Sequence, residues 1–146
     1  MTLKPYERPK VLIGSLRNLG AVARRALAEA SSRNADITII CSGQLRNSRI
    51  AIEDSYCAGM IVSQFCELAK DDAVELDDSA SLAHGFITSQ KSAVKVLLSS
   101  MTGRRFIGNC RQNDVEFCAL TNESTIVPVV AAQGEDSDHP VYLLER

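Results

Sequence analysis

The chain has 146 residues, 45% of them hydrophobic, and a formal net charge of −2. That is enough for one domain with a sizeable core and too apolar for a disordered chain, and it gives no bulk electrostatic drive towards nucleic acid. No apolar run approaches the roughly 20 residues that span a bilayer, the start at Met1 has no apolar leader run, and the five cysteines include no C-x-x-C pair. The expectation is therefore a cytoplasmic protein, free of nucleic-acid and membrane partners, whose reduced thiols pack as small core residues.

Lys10 to Ser15 reads as a short strand and turn. Asn18 is placed to cap a helix from Leu19 to Ala30, whose apolar face repeats at Leu19, Val22, Ala23, Ala26, Leu27 and Ala30. Asp36 to Cys41 is nearly all apolar, the pattern of a parallel strand covered on both faces, so strand, helix and strand form a right-handed crossover of an α/β fold. A helix is predicted from Asp54 to Ala69 with Tyr56, Met60, Ile61, Phe65 and Leu68 inward. Helical stretches follow at Glu75 to Ser89, Gln90 to Ser99 and Thr102 to Asn109, the last stopping at Gly108-Asn109. Asp114 to Leu120 alternates polar with apolar at first and predicts an edge-like strand or an extended segment. Thr125 to Val130 is extended, with Pro128 confining it to an edge or strand end. Gln133 to His139 reads as a polar turn and Val141 to Leu144 as a last strand. One domain over residues 1–146 is expected, with 1–9 and 133–140 flexible.

Chemistry concentrates where the second strand ends. Cys41-Ser42-Gly43 is a small-residue turn, Arg46 and Arg49 lie in the loop, and Glu53-Asp54 opens the next helix. The carboxylate pair has two readings. It can hold Mg²⁺, which takes one or two carboxylates plus phosphate oxygens and water, or Asp54 caps its helix and Glu53 is solvated. The arginines can clamp a phosphate or sulfonate through their planar forks, or face solvent. Arg104 and Arg105 in Gly103-Arg104-Arg105 carry the same two readings. Gly14, Ser15 and Asn18 sit at a strand-to-helix turn, where open α/β sheets bind ligands; the alternative is a plain turn and cap. Gly14 and Gly20 do not form a dinucleotide fingerprint, and the next strand ends in Cys41 rather than an acid, so a nicotinamide cofactor is not expected. His84, in a predicted helix, reads as a packed or partly exposed residue rather than a catalyst, and His139 lies in a polar turn. There is no G-x-S-x-G elbow. Cys41, Cys57 and Cys118 have no base nearby in sequence and read as buried structural thiols, against a thiol-redox alternative.

These segments, in order, resemble a known family. Val11-Leu12-Ile13-Gly14-Ser15-Leu16-Arg17-Asn18 with Ala21-Val22-Ala23 is similar to one stretch of the 2-phosphosulfolactate phosphatase family. Cys41-Ser42-Gly43, Glu53-Asp54 and Cys57-Ala58-Gly59 are similar to the next, and Gly103-Arg104-Arg105, Asp114 to Ala119 and Val127-Pro128-Val129 to its closing stretches. Order and spacing hold from about residue 10 to residue 130.

The resemblance implies a three-layer α/β/α fold with a mostly parallel sheet, of which this chain is the C-terminal half. It implies Mg²⁺-dependent hydrolysis of a small anionic phosphoester, 2-phospho-3-sulfolactate to sulfolactate, a step of coenzyme M biosynthesis. Glu53 and Asp54 would hold the metal, and Gly14, Ser15, Asn18, Ser42, Gly43 and either Arg46 or Arg104 would line the substrate pocket. The N-terminal motifs of the family have no counterpart here. A separate N-terminal-half chain or a homo-oligomer is then the implied partner, and a catalytically incomplete binding domain is the alternative to an enzyme.

Overall fold

The computed structural model describes residues 10–43, 49–69, 74–134 and 141–145. Helices dominate them: α1 Leu19–Arg33, α2 Ile52–Ala69, α3 Asp78–Thr88, α4 Ala93–Ser99, α5 Met101–Gly108 and α6 Gln112–Cys118, followed by strands β1 Val129–Gly134 and β2 Val141–Glu145. β1 and β2 form a two-stranded antiparallel hairpin. The segment before α1 joins it through a bridge between Leu12 and Val129. There Ile13 N–H donates to the Pro128 carbonyl at 2.9 Å and Val130 N–H to the Val11 carbonyl at 3.0 Å.

α2 is the central element, packed against α1, α3 and α4, while α4, α5 and α6 pack on one another. Leu19, Val22 and Ala23 of α1 meet Tyr56, Ile61 and Phe65 of α2 in the core, joined by Val96, Leu97, Val115, Ala119 and Val127. Each large side chain buried this way stabilises the fold by roughly 1.5–3 kcal/mol relative to exposure. The α2–α3 contact depends on Gly59, where a Cβ would run into the Ala83 carbonyl and the Ile87 side chain. Tyr56 meets Phe86 of α3 edge-on, with ring centroids 6.4 Å apart.

Asn18 stands at the N-cap position of α1, as expected, but its side chain makes no capping bond to that helix. It is 5% exposed. Its Nδ2 donates to the carbonyls of Ile13 at 3.1 Å and Ile126 at 2.9 Å, and its Oδ1 accepts from Ser15 N–H at 2.8 Å. One side-chain amide thus ties the first extended segment, the 3-10 turn Leu16–Asn18 and the chain before β1. The side chain that serves the start of α1 comes from far along the sequence: Asn122 Oδ1 accepts from Gly20 N–H at 2.8 Å. At the other end Asn34, in the left-handed region with φ 49°, closes α1 through bonds to the Ala30 and Ser31 carbonyls.

Three sequence expectations are corrected. Asp114 to Leu120 contributes to helix α6 rather than a strand. Val115 and Ala119, four residues apart, are buried together while Phe117 is 56% exposed under the Arg17 guanidinium, so the helical period prevails over the short alternation. Gln133 and Gly134, expected in a polar turn, are in β1; residues 135–140, with His139, and the segment 1–9 lie outside the described residues. Asp36 to Cys41 is extended but enters no ladder among the described residues. Instead of being covered on both faces, Ile37 is 37% and Ile40 88% exposed. The antiparallel hairpin is the only sheet among the described residues, which include no parallel pairing.

Asn18→Ala removes two donors and an acceptor from a buried position, leaving the Ile13 and Ile126 carbonyls without that partner. Stability is expected to fall by about 2–5 kcal/mol, read as a lower urea midpoint at an unchanged slope. A change within about 0.5 kcal/mol would contradict this role.

Candidate functional site

The first turn of α2 carries Glu53 and Asp54. Gly43 N–H donates to Asp54 Oδ2 at 2.6 Å, a short bond to a charged acceptor. Gly43 has φ 70°, the left-handed region in which glycine is at ease, and this turns its N–H towards the helix. The extended segment 36–43 therefore ends against the start of α2. Cys57 lies one helical turn beyond Asp54. Burial, with the neighbouring Cys41 and Asp54 adding to it, pushes the Cys57 thiol up to about 11, although a hydrogen bond from the Leu16 backbone partly offsets them. Burial and the Asp54 charge also raise the Cys41 thiol. Leu16, just after segment 10–15, and Gly43, at the end of segment 36–43, thus approach one helix start.

From this corner an open groove of about 1230 Å³ runs between segment 36–43, α2 and α3. Gly43, Asp54, Arg49 and Cys41 line one part of it, and Ile37, Ile50, Leu82 and Phe86 are among its apolar walls. A shallower depression of about 550 Å³ beside Arg24, Arg25 and Thr125 contains no carboxylate and none of the expected site residues.

The expected residues divide accordingly. Asp54 and Gly43 are joined, and Arg49 shares their groove. Glu53 is half-buried beside them and is not among the described residues lining the groove. Ser42 is exposed at the corner. Gly14 packs towards Ile61 and Val22, where an added Cβ would come within 3.2 Å of Ile61 Cδ1. Ser15 is bonded to Asn18, whose amide is committed to backbone groups. Arg104 stands apart: its Nη1 donates to the Ser99 carbonyl. Gly103 ahead of it allows a close approach to the Leu97 carbonyl, and its N–H is received by Ser100 Oγ at 2.9 Å. Arg105 is exposed and His84 half-buried, neither of them in the groove. Arg46 lies outside the described residues.

All five cysteines are free, and Cys41, Cys110 and Cys118 are exposed. The expectation of buried structural thiols is corrected for Cys41 and Cys118. Cys41 sits on an uncovered segment, and Cys118 ends a helix that turns it outward. Among the described residues no group of three or more His, Cys, Asp or Glu side chains could hold a metal ion. The donor set at the corner is a carboxylate facing a groove, which suits a hard cation that takes one or two protein oxygens. Asn122 and its capping role escaped the sequence reading; its only local mark is the polar turn Thr121-Asn122-Glu123-Ser124, where it adopts φ 57°.

With Cys57 raised to about 11, its thiolate is scarce at pH 8. Iodoacetamide at that pH is expected to modify Cys110 and Cys118 at least about tenfold faster than Cys57, with the Cys57 rate climbing until about pH 11. Equal rates at pH 8 would contradict the buried, unactivated thiol.

The family model for 2-phosphosulpholactate phosphatase matches residues 2–133. Three curated relatives, each named "Probable 2-phosphosulfolactate phosphatase", are similar to this chain. The protein of Carboxydothermus hydrogenoformans is 34% identical over 128 residues, covering 87% of this chain and 50% of the relative. That of Symbiobacterium thermophilum is 31% identical over 121 residues, 82% and 48%. That of Deinococcus radiodurans is 30% identical over 126 residues, 86% and 49%. The chain spans about half the length of the curated relatives it matches. Among the described residues, no helix is long and apolar enough to cross a membrane. With nine-tenths of its length inside the family match, the chain belongs to the 2-phosphosulpholactate phosphatase family.

Proposed function

We propose that this chain supplies one half of a phosphatase site that hydrolyses the phosphomonoester of a small acid, with 2-phospho-3-sulfolactate as substrate and sulfolactate and phosphate as products, as in coenzyme M biosynthesis. The observation that carries this reading is the Gly43–Asp54 corner. A carboxylate is held by a backbone N–H at the head of a groove that also receives an arginine, in a chain of a family named for that reaction.

The division of labour follows from charge. Substrate and products are anions, so the site must offset negative charge while keeping a carboxylate in place. Asp54, with Glu53 beside it, is the residue assigned to Mg²⁺, which when bound neutralises phosphate oxygens. The Gly43 N–H holds the Asp54 carboxylate in one orientation. The Arg49 guanidinium supplies a planar fork for the sulfonate, carboxylate or phosphate of the substrate, a part that Arg46 or Arg104 was expected to play. Ser42 adds a hydroxyl donor. Water replaces the ester oxygen at phosphorus and the leaving oxygen takes up a proton. Catalysis rests on positioning and electrostatics.

A second reading is a binding domain without turnover of its own, or one subunit of a split phosphatase. The half-length match favours keeping it. In the three-layer α/β/α arrangement proposed for the whole family fold, residues 36–41 would be one strand of a mostly parallel sheet.

Phosphate release from a phosphomonoester is expected to need Mg²⁺ and to fall about a hundredfold or more in Asp54→Asn, with a smaller loss in Glu53→Gln, in proteins whose circular dichroism is unchanged. Unchanged rates in both variants would remove the metal-site assignment. No release under any metal, whether by the wild-type chain alone or with the rest of the family fold supplied, would favour the binding-domain reading.

A further inference from the structure

The extended segment that ends at Gly43 runs back along the helix it meets. Gly43 N–H is bonded to Asp54 in the first turn of α2. Ile39, four residues earlier, packs on the core and shares the groove wall with Ala58, Val62 and Phe65, further along α2. Between these two contacts stand Cys41 on the segment and Cys57 on the helix. Alternate residues of an extended chain share a face, as do helix residues three or four apart. Cys41 is therefore on the side of the segment that carries Ile39 and Gly43, and Cys57 on the side of α2 that carries Asp54 and Ile61. Electrostatics agree with this register. Burial raises both thiols, and the Cys41 charge adds to Cys57 and the Asp54 charge to both, so the three groups lie about one point. Both thiols are free, Cys41 exposed and Cys57 half-buried.

We infer that Cys41 and Cys57 are a redox-modifiable pair, which a peroxide oxidises to an intramolecular disulfide that clips segment 36–43 to α2. The exposed Cys41 meets the oxidant first. Its sulfur attacks the peroxide, the O–O bond breaks, and a sulfenic acid forms with release of one water that carries away the thiol proton. The Cys57 sulfur then attacks Cys41 Sγ, the S–O bond breaks, and the departing hydroxide takes the Cys57 proton as a second water. Two thiols and one hydrogen peroxide give one disulfide and two waters. The bridge closes the chain from 41 to 57, which carries Gly43, Arg49 and Asp54, so oxidation pins the corner from one further point. The inference needs only the packing of the segment on α2 and stands apart from the proposed phosphatase activity.

The test is peptide mapping of the full chain after treatment with hydrogen peroxide, alkylation and trypsin. A reducible cross-link is expected between the peptide of residues 34–46 and that of residues 50–70, which holds both Cys57 and Cys66. Cys66→Ser is expected to keep the cross-link, whereas Cys41→Ser and Cys57→Ala lose it in proteins whose circular dichroism is unchanged. In hydrogen–deuterium exchange, amides 37–43 are expected to slow by about tenfold or more on oxidation and to recover when reductant is added. A second measurement needs neither oxidant nor variant: dibromobimane, which bridges two neighbouring thiols, is expected to join the same two peptides in the reduced chain. Oxidation of Cys41 to sulfinic or sulfonic acid without a cross-link would overturn the inference, as would a cross-link that survives Cys57→Ala, one that joins two copies of the chain, or failure of dibromobimane to join Cys41 to Cys57.

Discussion

The hydrogen bond from Gly43 N–H to Asp54 is the point on which the site depends. It joins the end of an extended segment that has no ladder partner among the described residues to the first turn of the helix at the centre of the core. The carboxylate is held on a rigid element by the packing of Tyr56, Ile61 and Phe65 further along α2. Its partner N–H is aimed by the left-handed backbone of Gly43. One helical turn further along α2, Cys57 meets the Leu16 turn, so two segments approach one helix start. A carboxylate bonded to a backbone N–H and mounted on a packed helix has little freedom to reorient, which suits a preorganised site.

The same geometry explains what was legible in the residues. Helices α1 and α2 announced themselves because their apolar faces repeat with the helical period and are buried by neighbours within this chain. The helix opening at Glu53-Asp54 after the glycine turn was also legible as local structure, since an acid pair at a helix start is a local pattern. What failed was of two kinds. In α6, Val115 and Phe117 imitated a strand over too short a window, while Val115 and Ala119 set the helical burial. In Asn18, a residue type suited to capping was read locally, but its partners include a carbonyl 108 residues away. Nothing in a linear pattern marks such a contact.

Residues 36–41 are a different case. Their composition fits a strand buried on both faces, and their backbone is extended as that composition requires. Only the cover is absent from the described residues. Local chemistry specifies what a segment needs, whereas the supplier can lie anywhere in the fold. A chain matching about half the length of its relatives is where that distinction becomes visible, since the groove beside Asp54 is bounded by this uncovered segment.

The central claim is that the Gly43–Asp54 corner is the anion and cation site of this half. The most direct measurement is an amide ¹H–¹⁵N correlation spectrum of the chain titrated with Mg²⁺ and then with inorganic phosphate. The account predicts that Mg²⁺ shifts the Gly43 and Asp54 amides first and that phosphate then shifts them further, together with the Arg49 side-chain N–H. Spectra in which both additions leave Gly43 and Asp54 unmoved while the chain remains folded would contradict it.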